Sequence, residues 1–131
     1  MNVVVDCSAV FELIFSGDRS EQYRTVLESA ERVMAPELYK ADCTNAMWKY
    51  VRSGRMTEEE AQQQLRDALA LIDIYMDGRE YAAEALHEAV RLGHSAYDML
   101  YLTAARHTAS VLLTVDERLR ELAGQEGVLV Y

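Results

Sequence analysis

An α/β fold, with a small and mainly parallel sheet flanked by helices in three layers, is what the sequence predicts. Three observations predict it. Short β-rich runs, Val3-Val4-Val5 and Ser110 to Val115 among them, alternate with stretches of helical periodicity. Two of those runs close on an aspartate, Asp6 and Asp116, at the edge where open α/β sheets place their ligands. The chain has 131 residues, half of them hydrophobic and 27% charged, which suffices for one core and is too apolar for disorder. A single domain over residues 1–131 is expected, with no internal repeat and no low-complexity linker.

The elements follow in order. The three valines of residues 2–6 suit a strand buried on both faces. Residues from Ser8 form a short helix, Ser16-Gly17-Asp18 breaks it, and a second helix runs through Val26 and Leu27. A short strand is expected around Val33 to Ala35. Pro36, the sole proline, is placed at the first turn of a helix reaching about Arg52, with Gly54 as its stop. Thr57 and Glu60 make a capping box for a helix carrying Ala61, Leu65, Ala68 and Leu69. Residues 72–75 either prolong that helix or run extended, and periodicity does not separate the two.

Asp77-Gly78 is a break before a helix from about Arg79 to Leu92 that stops at Gly93. Ser95 and Asp98 open a helix to about Ala105. The run from Ser110 is the next strand, a short helix spans Glu117 to Ala123, and Val128 to Val130 is a candidate last strand.

A formal charge of −9 repels phosphate overall and argues weakly against nucleic acid. A site for divalent cations must itself be acidic, however, and a bound metal reverses the local field. Cys7 and Cys43 have no CxxC spacing and no nearby histidine, so neither a disulfide framework nor a zinc site is expected. No basic leader and no long apolar stretch is present, so a cytoplasmic location away from membranes is expected.

Four acids are candidates for chemistry. Asp6 and Asp116 each have a plain explanation as the cap of the following helix. Asp98 has one too, as the acid of a capping box. Asp42 lies inside a helix, where aspartate is a poor former with no end to cap, and Asn45 and Lys49 share its face. Thr114 shares a strand face with Asp116 and, like Ser8, offers a hydroxyl to orient a carboxylate or a water. Tyr97 and Tyr101 read more readily as core aromatics than as base-stacking platforms. Lys49, Arg52 and Arg55 are a local basic cluster that either touches a phosphate or favours the helix C-terminus. His87, His94 and His107 share no ligand spacing, and Cys7 and Cys43 read as buried packing.

The wording around the four acids resembles the PIN domain, and within it the VapC toxins of bacterial toxin–antitoxin pairs. The matching pieces are Val3-Val4-Val5-Asp6-Cys7-Ser8-Ala9-Val10, Ala35-Pro36-Glu37-Leu38 leading to Asn45-Ala46, Tyr97-Asp98-Met99-Leu100-Tyr101-Leu102, and Leu113-Thr114-Val115-Asp116-Glu117-Arg118-Leu119. They cover nearly the whole chain. The resemblance implies a three-layer PIN-like fold and a metal-dependent endoribonuclease. Asp6, Asp98 and Asp116 would hold Mg²⁺ or Mn²⁺, with Asp42 as a fourth ligand, and Ser8, Thr114 and Asn45 in support. It also implies an RNA substrate, a cognate antitoxin and a homodimer.

One departure is that the family usually has a glutamate where this chain has Asp42, whose reach is shorter by roughly 1.5 Å. That leaves open a weakened PIN fold that binds a partner without cleavage. A phosphoaspartate enzyme fits less well, since Ser8 stands where a second aspartate is wanted.

Overall fold

The structure, a computed structural model, describes residues 1–131. Strand β1 (Asn2–Val5) leads into helices α1 (Cys7–Ile14) and α2 (Ser20–Ser29), then β2 (Arg32–Pro36). Helices α3 (Leu38–Arg52) and α4 (Glu58–Ala70) precede β3 (Ile74–Met76), and α5 (Gly78–Leu92) and α6 (Ala96–His107) precede β4 (Val111–Leu113). Helix α7 (Glu117–Gln125) follows.

The four strands make one sheet in the order β3-β2-β1-β4, with every neighbouring pair parallel. Successive valines of a strand point to opposite faces, yet Val3, Val4 and Val5 are all fully buried. Helices therefore cover both faces of β1, as three layers require. On one side α6 packs against β1, β2 and β4, while α3 packs against β2, α1 and α4.

From β1 the chain first moves outward to β2 and β3, and only then crosses back to place β4 on the other side of β1. The strand order thus reverses at β1. In open α/β sheets the crevice outside the strand ends at such a reversal is where ligands bind.

Local signals set most boundaries. Asp6, Thr57, Asp77, Ser95 and Asp116 each cap the helix that follows with a side-chain oxygen. Gly93 ends α5 at φ +63°, the left-handed conformation that costs glycine least.

Three expectations change. Pro36 is not in the first turn of α3 but ends β2, opposite Met76. It has no N–H to give the ladder, and Glu37 makes the next bond, donating to the Met76 carbonyl at 3.1 Å. The ambiguous residues 72–75 resolve into an extended segment, because Ile74 finds a partner in Met34. Val128 to Val130 do not form a strand. A single bridge from Val130 to Leu112 and a 2.9 Å bond from Leu112 N–H to the Leu129 carbonyl are all that join them to the sheet. No helix is long and apolar enough to cross a membrane.

Candidate active site

The ends of β1 and β4 lie side by side, with Val5 opposite Leu113, and an aspartate follows in the turn leaving each strand. Asp6 accepts on Oδ1 from the Ala9 N–H at 3.0 Å and the Ser8 hydroxyl at 2.6 Å. Asp116 accepts on Oδ1 from the Leu119 N–H at 2.8 Å. The capping explanation is therefore correct for both. It does not compete with a site, because a carboxylate has two oxygens and several acceptor positions.

Two hydroxyls tie these turns together. Ser8 donates to Asp6, accepts from the Val115 N–H at 3.0 Å, and lies 3.3 Å from the Thr114 hydroxyl. Thr114 is fully buried and accepts from the Asp116 N–H at 3.1 Å. Both residues hold the acids in register.

Asp98 comes from the first turn of α6. Its expected capping box is not made. Ser95 accepts from the Tyr97 N–H at 3.2 Å, and the Asp98 carboxylate lies 2.7 Å from Nε2 of His94. His94, just beyond Gly93, is the residue that sequence reasoning passed over. Donor atoms of His94, Asp98 and Asp116 all lie within 4.8 Å of one another. The available signal was its place four residues before Asp98.

Asp42 reaches the same edge from α3. Its Oδ2 accepts from the Tyr101 hydroxyl at 2.7 Å, and Tyr101 sits one helical turn after Asp98. Tyr101 is a core aromatic with its hydroxyl committed, whereas Tyr97 is 68% exposed and not core. Asn45, one turn after Asp42 on α3, is exposed.

The electrostatics reflect crowding. Burial pushes the Asp6 carboxyl up to about 6, against the bonds from Ser8, Thr114 and Ala9, and Asp98 raises it further. Asp42 is raised for the same reasons: burial first, then repulsion from Asp98, opposed by Tyr101. Burial, and then the bond to Asp42, hold the Tyr101 hydroxyl protonated. The Cys7 thiol is pushed far up by the neighbouring Cys43 thiol, by burial, and by Asp6 and Asp42. Cys7 is no nucleophile.

Crowded carboxylates normally find cations, yet the sole basic side chain in ion-pair contact with any of the four is His94. His94, Asp98 and Asp116 have donor atoms close enough to share a divalent cation of the Mg²⁺ or Mn²⁺ kind, while Asp6 and Asp42 stand outside that trio but near enough to Asp98 to be raised by its charge. The residues present fit such an ion.

Residues 3–125 match the family model described as PIN domain. The chain belongs to the PIN-domain family. Over 123 residues it is 29% identical to the ribonuclease VapC3 of Pyrobaculum aerophilum, covering 92% of this chain and 94% of that one. It is 30% identical to the exonuclease VapC9 of the same organism over 126 residues, 96% of this chain and 87% of the relative. Among solved structures, PAE2754 of P. aerophilum superposes with a TM-score of 0.75 at 26% identity, covering 99% of this chain and 83% of that one. The structure of VapBC2 from Rickettsia felis, bound to a promoter DNA fragment, gives 0.71 at 15% identity, covering 100% and 98%, and speaks to the PIN fold alone.

Proposed function

We propose that this PIN-domain protein is a metal-dependent endoribonuclease acting in the cytoplasm as the toxin of a VapBC-type pair. The observation that carries the reading is the convergence of Asp98, Asp116 and His94 to within 4.8 Å at the sheet edge where Asp6 also ends its strand. The ribonuclease name of a relative matched along 94% of its length supports the activity.

Asp6, Asp98 and Asp116 are the metal ligands in this reading. Asp42 is a fourth, and His94 either joins them or orients Asp98. A bound Mg²⁺ or Mn²⁺ supplies Lewis acidity at a phosphoryl oxygen and makes an associated water more acidic. The protein's own contribution is placement. Ser8 and Thr114 fix the Asp6 and Asp116 turns, and Tyr101 fixes Asp42, so the carboxylates need no reorganisation to receive a cation. Asp42, although shorter than glutamate, is held at the site by Tyr101 rather than directed to solvent, so it serves in the longer residue's place.

The partners follow from the same surfaces. An acidic chain of net charge −9 suits an antitoxin segment rich in Lys and Arg. Leu86 and Val90, 61% and 76% exposed and one turn apart on α5, suit burial against a second copy in a homodimer.

The test is cleavage of a labelled RNA pool in Mn²⁺, in Mg²⁺ and in EDTA, with Asp98→Asn alongside. Internal cleavage that needs metal and falls at least a hundredfold in the variant is expected, in line with the several kcal/mol a metal contributes. Cleavage that survives EDTA, or is equal in Asp98→Asn, would refute the assignment.

A further inference from the structure

A cavity of about 730 Å³ opens next to the carboxylates, and its walls do not resemble them. Ser8 and Val115, which touch the Asp6 and Asp116 turns, line it together with Lys49, Arg55, Tyr50 and Phe15. Its volume is in the range of sites for ligands of nucleotide size.

The charge on those walls is out of keeping with the rest of the molecule. Acids outnumber Lys and Arg by 22 to 13. Six of the thirteen Lys and Arg, namely Arg19, Lys40, Arg79, Arg91, Arg106 and Arg118, have a carboxylate in ion-pair contact. Lys49 and Arg55 are exposed and have none, and neither does Arg52 beside them. The acid of the cavity wall, Glu12, is engaged elsewhere, accepting from the Arg19 N–H at 2.9 Å.

Arg55 is also held in place. Its guanidinium sits 4.3 Å above the Phe15 ring and 4.9 Å above that of Tyr50, and Tyr50 in turn packs on Phe11 and Phe15. A guanidinium stacked on aromatic faces keeps its N–H edge for an anion and loses little further freedom in binding one.

We propose that this cavity is an RNA subsite, which takes a nucleotide flanking the scissile bond with its phosphate between Lys49 and Arg55. The proposal rests on the nuclease reading and gives it a substrate path. The acidic edge by itself repels a polyanion, and unpaired cations in the last turn of α3 and just beyond it supply the attraction that the edge lacks. The alternative occupant, a basic inhibitory segment drawn to the acids, would meet like charge at Lys49 and Arg55. A phosphodiester strand is complementary to the cations of the cavity and, once a divalent cation is bound there, to the acidic edge beside it.

The experiment is fluorescence anisotropy of a labelled single-stranded RNA at low salt with Ca²⁺ in place of Mg²⁺ or Mn²⁺, so that a cation neutralises the acidic edge, with the unmodified chain, Lys49→Ala, Arg55→Ala, and Arg79→Ala as a charge-matched control away from the cavity. Each cavity variant should weaken binding about five- to tenfold and reduce the slope of log affinity against log salt by about 0.7, with Arg79→Ala unchanged. Lys49 is a solvent-exposed helix residue, so its loss does not threaten the fold, and Arg55→Lys should restore most of the affinity while keeping the charge. Steady-state cleavage in Mn²⁺ separates the two ideas. If the unmodified chain cleaves but the cavity variants keep its KM and salt slope, the subsite is wrong and the nuclease reading stands. If nothing cleaves but the cavity variants still lose RNA, the subsite stands and the catalytic reading falls. Equal RNA affinity in all the proteins, or no RNA binding by the unmodified chain, overturns the subsite.

Discussion

A buried carboxylate that faces other carboxylates leaves a mark on stability that can be measured without any substrate. Asp6 is 7% exposed and has its pKa raised from 3.8 to about 6. Because the folded value lies above the unfolded one, the folded state is favoured by this group below pH 3.8 and loses that advantage as the pH rises towards 6. At 1.36 kcal/mol for each decade of affinity, the loss is on the order of 3 kcal/mol above that window. Asparagine caps helices as well as aspartate does and does not titrate. In EDTA, Asp6→Asn should therefore match the unmodified chain near pH 4 and exceed its unfolding free energy progressively up to pH 7. A difference between the two proteins that stays constant over that range would mean that burial does not raise this carboxyl. At this scale the acids were legible from strand ends and motif wording. His94 was not, because its partners are Asp98, one helical turn away, and Asp116, which only the fold brings close.

Helices and strands repeat the pattern at larger size: what is decided locally was readable, and what is decided by a partner was not. The caps at Thr57 and Asp116, the stop at Gly93, and the breaks at Gly17 and Gly54 are chemistry within a few residues. Residues 72–75 became extended only because β2 offered Met34, Ala35 and Pro36 as a ladder. The last segment failed to become a strand because Leu112 accepts it at a single bridge. Two helix ends make opposite predictions. Gly93 has φ +63°, with nothing within 4 Å of where a Cβ would stand, so Gly93→Ala should cost about 1 kcal/mol through backbone strain alone. Ala109 follows α6 at φ +50° and is exposed, so Ala109→Gly should gain about 0.5–1 kcal/mol in the same urea titrations, after the entropy it returns to the unfolded chain. Equal and same-signed changes would show that packing, and not φ, sets both ends.

Over the whole molecule, the net charge was readable and pointed away from nucleic acid, because a sum over 131 residues cannot record that cations gather at one cavity and acids at its neighbour. The fold class was legible because alternating short β-rich runs and helices leave few alternatives. The same acidic surplus makes the whole domain responsive to divalent cations. Mn²⁺ at a hundred times its dissociation constant should raise unfolding free energy by about 2.7 kcal/mol, a Tm increase on the order of 10 °C. Asp98→Asn should abolish most of that increase, and an equal increase in the variant would place the ion elsewhere. Finally, the strand order has a temporal meaning. Val3 pairs with Val111, so the first strand waits for the last, and Asp116 reaches the site only after that pairing. A chain emerging N-terminus first from the ribosome can order β1, β2 and β3 while still lacking the β4 edge. Whatever this edge does to RNA, the nascent protein cannot do it to the message that encodes it until Asp116 has been synthesised and β4 has paired with β1.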